Sequence, residues 1–424
     1  MQKVYKIALN KKKIINDPVY GFISIPSDLI FDIVQHPYMQ RLRYIKQLSM
    51  THLVYPGALH TRFHHALGAM HLMELALDTL QYKGVDISPE EREGAIIAVL
   101  MHDIGHGPFS HSLESTIVEG VSHELISALL MSELDEYFNG KLSLARDIFN
   151  NQYPKRFLHQ LVSSQLDTDR MDYLNRDSYF TGVSEGVIGF DRIIKMFNVV
   201  NNDLVVEEKG IYSVEKFLIA RRLMYWQVYL HKAVLSAEGM LLQLLKRAKG
   251  LYQSGDLLPV SASLEHFLCK NVNRQDFESD GLHLKHFVKL DDVDILSAIK
   301  TWTDHEDLVL SNLCVRLMNR NLYHTELYSE FPGEQFVQQL KELAVEHLGV
   351  MDADCDYMVW SHMIENSAYE AGQDPIKILM KNGSVLDISK ASDLSNVEAL
   401  SKKVKKYAVT FPKELLSKTR FLNN

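Results

Sequence analysis

Cysteines and long apolar runs are both scarce in this sequence, and each shortage excludes a class of protein. The chain of 424 residues has only three cysteines, which lie far apart and form no CxxC pair: Cys269, Cys314 and Cys355. This spacing indicates neither a disulfide framework nor a structural zinc site, and it favours a reducing compartment. No stretch reaches the roughly 18 apolar residues of a membrane span, and no apolar segment precedes Lys13. We therefore predict a cytoplasmic protein without a membrane partner.

Excess positive charge is also missing. The formal net charge is -9, whereas the hydrophobic content of 46% and the charged content of 23% are ordinary globular values. This charge gives no overall attraction to nucleic acid, so a bound polyphosphate would need a local cluster of Arg and Lys side chains. The sequence contains no Walker A or GxGxxG phosphate loop and no GxSxG nucleophile elbow, which argues against P-loop and serine-based mechanisms.

The apolar pattern predicts a mainly α fold with short β-hairpins and a small α+β subdomain at the C-terminus. Residues 13–25 and 196–208 are typical of hairpins, because each places apolar residues on both sides of a turn signal. Apolar residues elsewhere recur at helical spacing as far as about residue 346, and a helix of about 35 residues is predicted from Val214. Strand-like segments follow from Ile376. We divide the chain into a helical lobe (1–250), a helical extension (251–350) and the small subdomain (351–424).

A dense group of histidine and aspartate side chains is the most informative pattern in the sequence. His102, Asp103, His106 and His111 lie within ten residues, in a segment that is otherwise apolar enough to be buried. The capping box that begins at Ser88 predicts the helix that ends at this group. A buried carboxylate needs a cation or strong hydrogen-bond donors nearby. The alternative is that the histidines bind backbone groups and Asp103 caps a helix.

Two further residues on separate predicted helices, His65 and Asp169, complete a set that suits one divalent metal. Together with His102 and Asp103 they give a mixed nitrogen and oxygen shell, which fits Mn, Fe, Co, Ni or Zn, with Mg also open. Such a shell favours hydrolysis of a phosphate ester over redox chemistry.

Polar stripes on two predicted helices indicate the walls of a pocket. Asp169, Tyr173 and Asp177 recur at i, i+4 and i+8, so they share one helix face. A second stripe, which mixes cations with aromatic side chains, consists of Arg221, Tyr225, Tyr229 and Lys232. A solvated face and an amphipathic interface helix remain open as alternative explanations. The candidates for binding a triphosphate are Arg62, Arg170 and Arg221.

The sequence resembles the HD-domain metal phosphohydrolases, and within them the deoxynucleoside triphosphate (dNTP) triphosphohydrolases. The resemblance extends over about residues 13–330 and is strongest in six stretches: Lys13-Ile-Ile-Asn-Asp-Pro, Gln40-Arg-Leu-Arg-Tyr-Ile-Lys-Gln-Leu48, Phe63 to Gly68, His102 to His111, Asp167-Thr-Asp-Arg-Met-Asp-Tyr173 and Tyr229-Leu-His-Lys232. It implies that the 1–250 lobe is an HD-domain catalytic lobe. It also implies metal ligation by His65, His102, Asp103 and Asp169.

Further roles follow from the same resemblance. Asp103, His106, His111 and His123 would be catalytic, with the three histidines close to the phosphates and His111 as the proton donor. The residues expected to hold the triphosphate are Arg62, Arg170, Tyr173 and Arg221. Those expected to contact the deoxyribose are Gln47, Leu48, Asp177 and Tyr229, with Leu48 and Tyr229 packed so that a 2′-hydroxyl is excluded. Two positions depart from the pattern of the vertebrate members, which have histidine in place of Tyr225 and glutamine in place of Leu230.

A regulatory site between subunits is also implied, since guanine nucleotides activate the vertebrate members of the family. Lys13, Asn16, Arg43 and Arg320 match that site, whereas Gln35 replaces an aspartate and His324 a lysine. The resemblance further implies a homodimer or homotetramer. We expect no counterpart of the sterile alpha motif that the vertebrate members carry.

The sequence therefore predicts a dGTPase-like enzyme that hydrolyses dNTPs to deoxynucleoside and inorganic triphosphate. Three alternatives stay open: an HD phosphohydrolase for another nucleotide, such as a monophosphate, a cyclic dinucleotide or an alarmone; a nucleotide-binding regulator without turnover; and a binder of single-stranded nucleic acid.

Overall fold

The computed structural model describes residues 13–110, 116, 118, 120–370, 372, 374–393 and 400–419. Within these ranges the fold is mainly α-helical with small β-sheets, which confirms the predicted fold class. The first α-helices are Asp28–Gln35, Pro37–Arg41, Arg62–Tyr82, Pro89–Met101, His123–Tyr137, Ser143–Phe149, Arg156–Val162, Thr168–Thr181, Phe190–Lys195 and Ile211–Met224. They are followed by Lys232–Gln253, Ala262–Cys269, Arg274–Ser279, Gly281–Phe287, Asp292–Thr301, Leu308–Met318, Glu334–Leu348, Ile388–Ala391 and Leu416–Thr419. Among the described residues, each helix is either too short or too polar to span a lipid bilayer.

Three helices of the N-terminal lobe pack together and position the site: Arg62–Tyr82, Pro89–Met101 and Thr168–Thr181. Every residue from Ala95 to Met101 is buried, because this second half of the helix is apolar on all sides and is surrounded by other helices. Its start is the predicted capping box, in which the Ser88 hydroxyl accepts a hydrogen bond from the Glu91 N–H at 3.2 Å. The helix ends at His102, which acts as its C-cap.

Two hairpins form where the sequence predicts them. Strand β1 (Ile14–Asp17) pairs with β2 (Gly21–Ser24), and β3 (Phe197–Val200) pairs with β4 (Asp203–Glu207). The second turn consists of two asparagines with φ angles of 50° and 68°. Asparagine adopts this left-handed region more readily than most residues, which explains the tight turn at this point.

The strands nearer the C-terminus belong to two different sheets. β7 (Lys377–Leu379) pairs in parallel with β4 of the lobe and antiparallel with β8 (Val385–Asp387). The other sheet has the order β5-β9-β6, with strands His324–Tyr328 (β5), Val404–Phe411 (β9) and Trp360–Asn366 (β6). The C-terminal segment thus extends a sheet of the N-terminal lobe, and the predicted three-part division of the chain stays a prediction.

The helical pattern predicted after residue 250 as far as about residue 346 is wrong at β5. Its five residues pair antiparallel with β9, and the hydroxyl groups of Thr325 and Thr410 form a buried hydrogen bond of 2.8 Å. The partner strand is distant in sequence, so local spacing could not reveal this pairing. The pairing makes these five residues a strand although the segments on both sides are helical.

The prediction of one continuous helix from Val214 is also wrong. The segment contains an α-helix (Ile211–Met224), a π-helical turn (Tyr225–Tyr229) and a second α-helix (Lys232–Gln253). In the π turn the Leu230 N–H donates to the Tyr225 carbonyl at 2.7 Å. A π turn inserts one extra residue and therefore shifts the faces of the helices that flank it.

Candidate metal centre and adjoining pocket

Three helix ends bring the four predicted metal ligands together. His65 lies in the first turn of Arg62–Tyr82, His102 follows Pro89–Met101, and Asp169 lies in the first turn of Thr168–Thr181. The ring atom Nε2 of His65 lies 3.1 Å from Asp169 Oδ1 and 3.7 Å from Asp103 Oδ2. Nε2 of His102 lies 3.5 Å from Asp169 Oδ1 and 3.3 Å from Asp103 Oδ1.

The chemistry of this donor set fits a divalent ion. Both Nε2 atoms are buried and make no hydrogen bond of good geometry with the described residues. The opposite ring atoms are held from behind: Asp172 Oδ2 lies 2.7 Å from His65 Nδ1, and the Val99 carbonyl lies 2.6 Å from His102 Nδ1. Such contacts fix the ring orientation and the tautomer that a metal requires. His65, His102 and Asp169 form one candidate metal-binding group.

At this centre the pKa values of the two histidines are raised and that of Asp169 is lowered, because the carboxylates and the imidazoles lie so close together. Burial disfavours a charged ring at His65, but the adjoining carboxylates of Asp169 and Asp172 outweigh it and raise the pKa of His65 to about 10. Burial likewise opposes protonation of His102, whose pKa the charges of Asp103 and Asp169 raise to about 9. Burial acts to raise the pKa of Asp169, yet the two imidazoles hold it well below its ordinary value. A divalent cation would supply the same positive charge and displace protons from the imidazoles.

A second group of predicted catalytic residues adjoins the first. Asp103, His106 and His123 also offer ligand atoms within 4.8 Å of one another. The rings of His106 and His123 stack with centroids 3.8 Å apart, and His106 Nδ1 lies 3.3 Å from Asp103 Oδ1. A Cβ atom at Gly105 would meet the His123 carbonyl at 2.3 Å, so this turn needs glycine to admit the helix that carries His123. The remaining predicted catalytic residue, His111, lies outside the described residues.

A pocket of about 960 Å³ opens beside this centre. Its walls include the metal-centre residues His102, Asp103 and Asp169, and also His123. The predicted substrate-binding residues that line it are Gln47, Leu48, Arg62, Arg170, Tyr173, Asp177 and Tyr229. The volume lies at the upper end of the range for small-molecule and cofactor sites.

The three predicted triphosphate-binding arginines differ in their surroundings. Arg62 pairs with Asp103 and donates from Nη2 to the Ser110 hydroxyl at 2.7 Å. Arg170 donates to Asp167 Oδ2 at 2.7 Å, and its Nε is buried without a hydrogen bond to the described residues. Arg221, unlike the other two, is not among the described residues that line the pocket. Its guanidinium lies 5.9 Å from the ring centroid of Tyr225.

The π turn contributes aromatic side chains to the pocket wall. Tyr225, Tyr229 and Leu230 all line the pocket, so both positions that depart from the vertebrate pattern face the same space. The Tyr229 hydroxyl donates to Asp177 Oδ2 at 2.6 Å. Lys232, the last member of the predicted stripe, is exposed and lies outside the described pocket walls. It begins a new helix after His231, whose backbone is extended, so it does not continue the helix face of the tyrosines.

Sequence reasoning missed three residues that position the site. Asp172 fixes His65 and pairs with Arg176, and an acidic residue three positions after Asp169 was an available signal. His60 is fully buried and contacts Asp177. The only signal for this role in the sequence is that His60 lies two residues before Arg62. Asp292 accepts hydrogen bonds from the backbone N–H groups of Lys46 and Phe109, both at 3.0 Å, and no local pattern reveals it.

The four residues of the predicted regulatory site, Lys13, Asn16, Arg43 and Arg320, are all exposed. Arg43 stacks over the Phe63 ring at 3.8 Å, and Arg320 donates to the Leu53 carbonyl at 2.5 Å. Nucleotide binding at these exposed residues stays a prediction.

Comparisons with known proteins agree with this geometry. The family model described as HD domain matches residues 62–176, and the one described as HD associated region matches residues 188–252. Bacillus subtilis YwfO is 33% identical over 96% of this chain and 94% of its own length. A second relative is a Dictyostelium discoideum protein named deoxynucleoside triphosphate triphosphohydrolase SAMHD1 homolog. The two sequences are 30% identical in a match that covers 73% of this chain and 59% of that protein.

A solved structure extends the likeness to nearly the whole chain. The crystal structure of a phosphohydrolase from Bacteroides thetaiotaomicron superposes with a TM-score of 0.92 at 51% sequence identity, covering 95% of this chain and 100% of that one. The matched HD domain contains the four residues of the candidate metal centre. The chain therefore belongs to the HD-domain phosphohydrolase family.

Proposed function

We propose that the protein is a metal-dependent dNTP triphosphohydrolase that releases deoxynucleoside and inorganic triphosphate. One observation carries the proposal: the candidate metal centre shares a pocket with cationic side chains and with a tyrosine and carboxylate pair that suits a sugar hydroxyl. The printed name of the Dictyostelium relative supports the same substrate class. An HD phosphohydrolase specific for a monophosphate would need fewer cations in its pocket.

The reaction is the attack of water on the α-phosphorus, in which the bond from phosphorus to the 5′-oxygen breaks. The oxygen of water remains in the released triphosphate, and a proton goes to the 5′-oxygen of the deoxynucleoside. By resemblance to the family, His111 donates that proton, with His106 and His123 beside the phosphates. A divalent ion held by His65, His102, Asp103 and Asp169 would supply Lewis-acid stabilisation of the phosphate under attack.

Cationic and hydroxyl groups of the chain would bind the triphosphate. Arg62 and Arg170 line the pocket, and each could exchange part of its contact with a carboxylate for phosphate oxygens. Arg221 donates from Nη1 to the Ala368 carbonyl at 3.3 Å, and its side chain would move towards the pocket to bind the phosphates. Tyr173, on the helix of Asp169, lines the same pocket. Together these donors would neutralise charge that develops in the transition state.

The sugar would lie against Gln47, Leu48, Asp177 and Tyr229. The carboxylate of Asp177 can accept a hydrogen bond that the 3′-hydroxyl of the sugar donates. Leu48 and Tyr229 present apolar surface, which would leave a ribose 2′-hydroxyl buried without a partner and so disfavour ribonucleotides.

The test is product analysis with each of the four dNTPs, with Mn²⁺, Fe²⁺, Co²⁺ or Mg²⁺ added to metal-stripped protein. Triphosphate and deoxynucleoside in equal amounts are expected, and Asp169→Ala should abolish both. Release of pyrophosphate or monophosphate, or turnover only of other nucleotides, would contradict the proposal. Nucleotide binding without turnover would instead favour a regulator.

Regulation and assembly belong to the same proposal. We expect a homodimer or homotetramer in which Lys13, Asn16, Arg43 and Arg320 contribute to a nucleotide site between subunits. Light scattering together with the product assay, with and without GTP or dGTP, tests both points. A monomer whose rate does not respond to either nucleotide would refute this part alone.

A further inference from the structure

His60 is a buried histidine that belongs to neither group of candidate metal ligands. Its side chain has no exposed surface, and its Nε2 lies 2.8 Å from Asp177 Oδ1. Its ring stacks on Phe180 with centroids 4.5 Å apart and planes 16° apart. His60 does not itself line the pocket, whereas Asp177 does. Any effect of His60 on a ligand must therefore pass through Asp177 or the backbone.

The carboxylate of Asp177 is held from two sides. Oδ1 contacts His60, and Oδ2 accepts the hydrogen bond from Tyr229 at 2.6 Å. Two fixed donors set the plane of the carboxylate, and each oxygen keeps a second lone pair that can accept another hydrogen bond. Asp177 is only 1% exposed, so a wrongly oriented charge there would be costly.

The backbone of His60 also contacts a second residue that lines the pocket, Gln47. Its carbonyl accepts a hydrogen bond from the Gln47 N–H at 3.0 Å, next to the bridge between Lys46 and Thr61. One residue thus connects Gln47 with Asp177, which the proposed function places on the same sugar.

We propose that His60 is a positioning residue for recognition of the 3′-hydroxyl of the substrate. By donating from Nε2 to Asp177, it orients the carboxylate so that a free lone pair accepts that hydroxyl. This inference rests on the proposed function, since it requires a deoxynucleotide in the pocket. The contribution of His60 should therefore depend on the presence of the 3′-hydroxyl.

The test compares a dNTP with the matching 2′,3′-dideoxynucleotide in wild type and His60→Phe. Phenylalanine keeps a ring to stack on Phe180 but has no donor for Asp177. A site that binds a hydroxyl through buried groups rejects the analogue that lacks it, so wild type should favour the dNTP by about 100-fold or more in kcat/KM. In H60F, kcat/KM should fall by about tenfold or more for the dNTP, which is the usual scale for a hydrogen bond to a charged group, and by less than about twofold for the dideoxynucleotide.

Two further variants separate positioning from general stability. His60→Gln keeps an N–H donor at about the reach of Nε2, so it should restore most of the preference for the dNTP. Phe180→Leu removes the ring stack but keeps the hydrogen bond, and it should lower thermal stability with little change in that preference. If H60F does not fold, His60→Asn replaces it, because the shorter amide does not reach Asp177.

The outcomes distinguish the inference from the proposed function. An equal loss for both nucleotides in H60F, or H60Q behaving like H60F, would overturn the positioning role while leaving dNTP hydrolysis intact. Wild type that hydrolyses no dNTP would overturn the proposed function, and the inference with it.

Discussion

Replacing Asp172 with asparagine should weaken metal binding although Asp172 is not itself a predicted ligand. Asp172 is fully buried, and its Oδ2 lies 2.7 Å from His65 Nδ1 and 3.0 Å from Arg176 Nε. Its Oδ1 accepts from Arg176 Nη2 at 3.0 Å. Both oxygens therefore face donors, and the NH₂ group of an asparagine would have to point at one of them.

The expected size of the effect follows from these contacts. Loss of a carboxylate that orients a ligating histidine typically lowers metal affinity by about 10- to 100-fold. That factor corresponds to about 1.4 to 2.7 kcal/mol of binding free energy. A buried donor left without a partner should also lower the free energy of unfolding by about 1–3 kcal/mol. Arg176 keeps its ion pair with Asp17 at 2.7 Å, which limits the damage to the fold.

The assay is calorimetric titration of metal-stripped protein with Mn²⁺, alongside urea unfolding. Asp135→Asn is a matched control, because Asp135 is also buried, accepts from the Leu142 N–H at 2.7 Å and pairs with Arg146 at 3.0 Å. D135N should lose stability but keep its Mn²⁺ affinity. Unchanged affinity in D172N, or an equal loss in D135N, would refute the reasoning.

Three other substitutions test separate parts of the structure. In Gly68→Ala the new Cβ would lie 1.9 Å from the carboxylate of Asp172, so the urea midpoint should fall by the equivalent of about 1–3 kcal/mol or more. The control Gly250→Ala has open space around its Cβ and should be neutral or stabilising, and equal effects of the two variants would contradict the packing. Burial, followed by the nearby charge of His286, lowers the pKa of His266 to about 4, below its unfolded value of about 6.5. The neutral ring therefore stabilises the fold above about pH 6.5, and this contribution is lost as the pH falls towards 4. His266→Gln should make the urea midpoint fall less steeply between these pH values, and an unchanged slope would disprove this role of His266. Asp292→Asn removes one of the two carboxylate acceptors that hold the backbone N–H groups of Lys46 and Phe109, of which Phe109 lines the pocket. We expect kcat/KM to drop by about tenfold with the Mn²⁺ stoichiometry unchanged, and a loss of bound metal would show a different role.

The candidate metal centre could be predicted because its residues have distinctive types and lie at helix ends with readable signals. The capping box at Ser88 and the i, i+4 and i+8 stripe from Asp169 both correspond to what the structure shows. The convergence of His65 on the other ligands depends on tertiary packing, and the resemblance to a family supplied it in advance.

The features that the sequence could not predict arise from contacts between distant segments. Strand β5 forms because β9 is available beside it, and Asp292 reaches across from a helix outside the matched HD domain. The π turn at Tyr225 to Tyr229 differs from an α-helix by one residue, which spacing alone cannot distinguish. The helix is then broken at His231, whose backbone is extended, and Lys232 lies outside the described pocket walls while the two tyrosines line them.

The most direct test of the account is the location of the metal in crystals of the protein grown with Mn²⁺, by anomalous diffraction. The account predicts a peak within about 2.5 Å of His65 Nε2, His102 Nε2, and carboxylate oxygens of Asp103 and Asp169. A map with no peak there, or with manganese bound only at His106 and His123, would contradict it.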